Sequence, residues 1–152
     1  MPTVLLPVPH FEQSQYGYCL PACARMVLAY QNRHISEPEL SAILGTQSFG
    51  TPISHINKLT AYQCQVTFRS FSLTELKEHL RQGMPVIVRV WTGMLTYWSE
   101  DSFHVVVALG YDNDRIYLND PAFASAPQSV LWDGFLAAWA EYDEAAIVIQ
   151  AL

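Results

Sequence analysis

The chain has 152 residues, a net charge of −6 with histidines neutral, 51% hydrophobic residues and only 14% charged ones. An apolar, weakly charged composition excludes disorder, and four Trp, eight Tyr and seven Phe suffice for the core of one domain spanning 1–152. Eight basic against 14 acidic residues, with no basic cluster, exclude nucleic acid as a partner.

Residues 1–9 read as an extended segment punctuated by Pro2, Pro7 and Pro9. It lacks the basic start of a signal peptide, and no apolar run in the chain is long enough to span a bilayer. Three cysteines, an odd count, predict a reduced, cytoplasmic protein rather than a disulfide framework. A helix is expected from Cys19 to about Gln31, because Leu20, Cys23, Ala24, Val27 and Leu28 recur at three- and four-residue intervals. Pro21 falls in its first turn, where a missing N–H costs nothing. Ser36-x-x-Glu39 is a capping-box pattern, followed by Leu40, Ile43, Leu44 and a stop at Gly45. Thr51-Pro52 predicts the N-cap and first position of a short helix reaching about Tyr62. A strand is expected over Gln65–Phe71, and Ser72-x-x-Glu75 opens a helix ending near Gly83.

The second half changes character. Pro85–Trp91 and His104–Gly110 read as strands, the latter apolar enough to be buried on both faces. Asp112-Asn113-Asp114 is a turn cluster, Arg115–Asn119 a strand, Phe135–Tyr142 a helix and Ala145–Gln150 a last strand. Helices first and an antiparallel sheet afterwards predict an α+β fold.

Cys19 stands where a loop turns into a helix. Free N–H groups and a partial positive charge at a helix start favour thiolate over thiol, and a thiolate is a nucleophile. An isolated cysteine would more simply be a small buried hydrophobe, so its companions matter. Gln13, six residues upstream, carries an amide that can join the Cys19 N–H as a donor to a developing oxyanion; Gln15 competes for that role. Among five histidines, His34 and His79 fall on polar segments, and His10 and His55 have no evident orienting partner. His104 begins an apolar strand, where an imidazole needs a partner.

Asp120 can supply that partner if the strand register allows it. A three-residue turn Asp112-Asn113-Asp114 pairs Tyr111 with Arg115 and sets Asp120 opposite Val106. Asp120 then shares a face with His104, one diagonal away, roughly 7–8 Å between backbones. A two-residue turn would shift the register by one and put the pair on opposite faces. Cys19, His104 and Asp120 would then be nucleophile, base and orienter, in papain-like chain order. A turn cap before Pro121 is the plainer role for Asp120.

These residues also carry a family resemblance. The stretch VPHFEQSQYGYCLPACARMVLAY is similar to the signature of the bacteriocin-processing (double-glycine leader) cysteine peptidases and their stand-alone papain-like relatives. Gly83-x-Pro85-Val86-Ile87-Val88, His104-Val105-Val106-Val107 leading to Gly110-Tyr111-Asp112, Asn119-Asp120-Pro121, and the late Phe135, Trp139 and Ala146–Ile149 extend the match over nearly the whole chain. The resemblance implies a papain-like fold with N-terminal helices packed on a mostly antiparallel sheet. It implies Cys19 as nucleophile, His104 as base, Asp120 as third member and Gln13 as oxyanion donor, with no metal and no cofactor. The family usually has Asp or Asn before the cysteine and Gly after it; here Tyr18 and Leu20 stand there and shape the substrate channel. The transporter-linked members continue into membrane and ATP-binding domains, so the resemblance implies a peptide or protein substrate and a separate transporter or peptide-precursor partner.

Two other features have a plain and a functional reading. Cys23 and Cys64 lack the tight second pair that zinc sites show, and they read as packed residues. The segment Trp91–Phe103 is either a packed loop or, through Tyr97 and Trp98, an aromatic wall for an extended peptide or acyl chain. The expected function is a cysteine peptidase acting through a thioester. The alternatives are an amidase, isopeptidase or acyltransferase using the same triad, or a non-catalytic peptide-binding module of the same fold, against which the presence of all three triad residues argues.

Overall fold

A short N-terminal strand, β1 (Val4–Leu5), leads through residues 6–18 to the buried helix α1 (Cys19–Tyr30) in a computed structural model that describes residues 2–152. The helix buries the row expected from its spacing, Leu20, Cys23, Ala24, Val27 and Leu28, together with Met26. Helix α2 (Glu37–Leu44) is capped by Ser36, which accepts from the Glu39 N–H, and ends at Gly45 in the left-handed region (φ 68°). A 3₁₀ helix spans Ile53–Tyr62. Its boundary residue is Pro52, not Thr51 as predicted; the Thr51 hydroxyl is 2.7 Å from that of Thr46.

Strand β2 (Cys64–Ser70) precedes α3 (Leu73–Arg81), where Ser72 and Glu75 form the full reciprocal capping box. Then come β3 (Val86–Trp91), a 3₁₀ turn (Thr92–Met94), β4 (Phe103–Tyr111), β5 (Arg115–Asn119), β6 (Gln128–Leu131), α4 (Trp132–Ala140) and β7 (Ala145–Ala151). Strand β6 was not anticipated: it has four residues and only Val130 is buried, so it carries little periodicity. Helix α4 starts three residues earlier than predicted, because Gly134 in its first turn disguises the helical pattern.

The strands form one antiparallel sheet in the order β2-β7-β3-β4-β5-β6, with β1 paired to the end of β4. Strand β4 is central and buried on both faces, as its apolar run predicts. Val105, Val107 and Leu109 pack with Leu20, Val27 and Leu28 of α1. Val106 and Ala108 pack on the opposite face with Leu76 and Leu80 of α3 and with Phe135 and Trp139 of α4. Helices therefore cover both faces of the sheet, α1 on one and α3 with α4 on the other.

The turn between β4 and β5 differs from the one expected. The Asp112 N–H donates to the Arg115 carbonyl at 2.9 Å, and Asp112 Oδ1 accepts from the Asp114 and Arg115 N–H groups at 2.8 Å each. That is an even, two-residue turn, and Tyr111 faces Ile116 rather than Arg115. Beyond a bulge between Ala108 and Gly110, however, Ala108 faces Leu118 and Val107 faces Asn119. The bulge restores the register that an odd turn would have supplied.

Candidate active site

Cys19 is the first residue of α1, with Tyr18 at the N-cap, so its half-buried thiol lies at the positive end of the helix. Among the described residues nothing accepts from its backbone N–H. The thiol lines a cleft of about 480 Å³ that is also lined by Gln13, Leu20, Trp98 and His104. The fold thus brings nucleophile, base and amide candidates to one opening.

His104 lies near the start of β4, opposite Val90 of β3, and is 5% exposed. Its Nε2 is 2.7 Å from Asp120 Oδ1. With Nε2–H as donor to that carboxylate, Nδ1 is left for the cleft. Burial alone pushes the His104 pKa down. The Asp120 hydrogen bond and then the Cys19 thiol more than reverse this and push it up to about 9.

Asp120 is fully buried, and its carboxylate is saturated with donors. Oδ1 accepts from His104 and from the Ala122 N–H at 2.9 Å. Oδ2 accepts from the Tyr97 hydroxyl at 2.7 Å and from Trp98 Nε1 at 2.9 Å. Burial pushes its pKa up, but the His104 hydrogen bond and charge, the Ala122 N–H and the Tyr97 hydroxyl outweigh it and hold the carboxyl below its ordinary value. Burial first and then the Asp120 charge push the Tyr97 hydroxyl well up, which keeps it a donor.

The aromatic segment therefore does more than its sequence suggested. The Trp98 ring lines the cleft and meets His104 edge to face at a centroid distance of 5.0 Å. Tyr97 is turned to Asp120 and is not among the cleft-lining residues. Phe123 packs edge-on against both rings, at 5.3 and 5.2 Å. No spacing rule links Tyr97 to a residue 23 positions away, so its role as a donor was invisible in the sequence.

Gln13 is tied to the acid side of the site: its backbone N–H donates to the Pro121 carbonyl at 2.7 Å. Its Nε2 gives one hydrogen to the Gln15 carbonyl at 2.9 Å, which leaves the second free. The next residue, Ser14, is latched to Glu37, whose carboxylate accepts from both the N–H (3.1 Å) and the hydroxyl of Ser14. Glu37, in the first turn of α2, is consequently buried, 6% exposed. Asn119, next to Asp120, donates to the Val8 carbonyl at 3.2 Å and fastens the N-terminal segment to the same strand end.

Leu20 lines the cleft, whereas Tyr18 faces a separate shallow depression beside Glu37 and Ser41. Cys23 is fully buried and donates to the Val105 carbonyl at 3.5 Å; burial, with Cys19 and Asp120 adding to it, keeps its thiol well above the ordinary range. Cys64 is buried at the start of β2, and burial outweighs the opposing charge of Arg33 to raise its pKa. His10, His55 and His79 bond to backbone carbonyls of Phe123, Leu44 and Glu75, and His34 is exposed. Among the described residues no group of three or more His, Cys, Asp or Glu could hold a metal ion, and no helix is long and apolar enough to cross a membrane.

Comparison with known proteins agrees with this architecture. A C39-like protein from Bacillus anthracis superimposes with a TM-score of 0.81 at 17% identity, covering 98% of each chain. The peptidase domain of Streptococcus ComA, a bi-functional ABC transporter involved in a quorum sensing pathway, gives a TM-score of 0.76 at 18% identity over 94% of this chain and 98% of that one. A double glycine motif protease from an AMS/PCAT transporter, in complex with the leader peptide, gives 0.74 at 18% identity over 99% and 96%. At these identities the likeness establishes a shared papain-like fold. No curated protein matches the chain. The Peptidase_C39 like family matches residues 5–147. With nearly its whole length matched, the chain belongs to the Peptidase_C39 like family.

Proposed function

We propose that the protein is a cysteine peptidase that cleaves a peptide or leader through Cys19, His104 and Asp120, with Gln13 as oxyanion donor. The observation that carries this reading is the 2.7 Å contact between a buried Asp120 and His104, which lines the same cleft as Cys19. In the first step the Cys19 sulfur attacks the scissile carbonyl carbon and the oxygen becomes an oxyanion. The Cys19 N–H and the free hydrogen of Gln13 Nε2 stabilise that charge. His104, protonated and held by Asp120, gives its proton to the leaving nitrogen; the C–N bond breaks, an amine departs and a thioester remains. In the second step His104 takes a proton from water, the hydroxide adds to the thioester carbonyl, and the C–S bond breaks to restore the thiolate and release a carboxylic acid, which gives its remaining proton to solvent. Asp120 keeps the ring in one orientation throughout and stabilises its charged form.

The two transporter-linked structures are a peptidase domain and a double glycine motif protease bound to a leader peptide. They support a peptide as substrate and a transporter or peptide precursor as partner; the cytoplasmic setting rests on the three unpaired cysteines. Selective alkylation tests the reading. Iodoacetamide near neutral pH is expected to modify Cys19 rapidly while Cys23 and Cys64 stay intact, and His104→Ala is expected to slow it by at least about tenfold. Equal, slow labelling of all three cysteines in the folded protein would refute the proposal.

A further inference from the structure

We infer that the substrate carries a bulky apolar side chain on its acyl half, seated beside Cys19 between the rings of Phe49 and Phe103. This deepens the peptidase reading and rests on it. The cleft, at about 480 Å³, lies within the roughly 300–1,000 Å³ of sites that enclose a ligand. Its inner wall includes Leu20 and Val105, 2% and 5% exposed, with half-buried Ile53 beside them. At its rim stand Phe49 and Phe103, 70% and 56% exposed. Two phenylalanine rings left in water at one opening are an unfavourable arrangement that a covering apolar group relieves. A glycine has no side chain with which to cover them.

Both rings are held by the same parts that hold the chemistry. Phe49 sits in a turn closed by Gln47 N–H to Gly50 O at 2.9 Å and Gly50 N–H to Gln47 O at 3.0 Å. That turn lies on Gly17, two residues before Cys19. Gly17 has φ +86°, and a Cβ there would stand 2.7 Å from the Ser48 carbonyl oxygen and 2.9 Å from the Gly50 nitrogen. Phe103 precedes His104 on β4, opposite Trp91, with the Arg89 guanidinium 5.5 Å from its ring centroid. One ring is therefore fixed to the loop of the nucleophile and the other to the strand of the base. The acyl half is the part they would grip in both steps, because it stays bonded to Cys19 after the amine has left. Arg89, Glu100 and Asp101 also line the opening and offer polar partners to the peptide backbone.

Peptidyl chloromethyl ketones test this directly, since they alkylate the nucleophile from the acyl side. Pairs are made that differ only by Leu or Gly in the two residues ahead of the ketone. The Leu reagents are expected to label Cys19 at least about tenfold faster. Equal rates, or faster labelling by the Gly-Gly reagent, would overturn the inference. In Phe49→Ala, a change at an exposed position, the Leu-to-Gly ratio is expected to fall several-fold when each rate is divided by that variant's own iodoacetamide rate. An unchanged ratio would remove Phe49 from the grip. Rapid iodoacetamide labelling of Cys19 without a Leu preference defeats this inference alone, whereas slow labelling of every cysteine defeats the peptidase reading with it.

Discussion

Gly110 lies so close to Val4 that a Cβ built on the glycine would stand 2.3 Å from the Val4 carbonyl oxygen. This contact between β4 and β1 falls at the bulge, where the Leu109 carbonyl also accepts the Leu6 N–H at 2.8 Å. Tyr111 consequently packs with Val106 and Ala108, out of the alternation that puts Val105, Val107 and Leu109 on the other face. The bulge sets the register that carries Asp120 to the face of His104. Gly110→Ala must move β1 or distort β4. We expect a loss of about 2 kcal/mol or more in urea unfolding, together with slower alkylation of Cys19. A variant of wild-type stability and reactivity would show that the close approach is dispensable.

The His104–Asp120 pair makes stability depend on pH, with a definite sign. The folded pKa of His104 is raised from 6.5 to about 9. Its contribution is fully present below the unfolded value and is lost as pH rises through about 9. The folded pKa of Asp120 is lowered, so its contribution is present above the ordinary value of 3.8 and is lost as pH falls through the lower folded one. The gap in unfolding free energy between wild type and Asp120→Asn should therefore be wide at pH 6 and narrow towards pH 9.5. A gap that stays constant over that range would mean that the pair is not ionised in the fold.

Tyr97 and Trp98 each spend a donor on Asp120 Oδ2, and hydrogen bonds to a buried charge are stronger than neutral ones. Tyr97→Phe keeps the ring against Phe123 and removes only the hydroxyl. It should cost about 1.5–3 kcal/mol in chemical denaturation, and it should raise the pH at which His104 loses its proton, as followed by the imidazole NMR signal, because a carboxylate with one donor fewer keeps more of its charge for the imidazolium. The variant distinguishes a hydrogen-bonding role from simple packing, because packing alone would leave the His104 titration where it was.

The outline of the elements was legible because it depends on local physics. The apolar row of α1, the Ser36 and Ser72 caps, the stop at Gly45 and the unbroken apolar run of β4 all follow from neighbours within a few positions. Elements with weak local signals were not legible in the same way: β6 has four residues, and α4 hides its start behind Gly134. The residue types of the candidate site could be named from Cys19 at a helix start, His104 at the edge of an apolar strand, and Asp120 one strand later. Their meeting could only be made conditional on a turn length.

The sequence by itself determined a helix-and-sheet chain with those three residues at the ends of particular elements, since periodicity, capping and turn chemistry act over short separations. Only the tertiary structure decided that His104 and Asp120 share a face. The turn is the even one, and what restores the register is a bulge set against β1, a contact between residues more than a hundred positions apart. The same holds for the Tyr97 and Trp98 donors, the Glu37 latch on Ser14 and the Phe49–Phe103 rim. Each depends on which distant backbone segments come to lie side by side, and no local pattern encodes that.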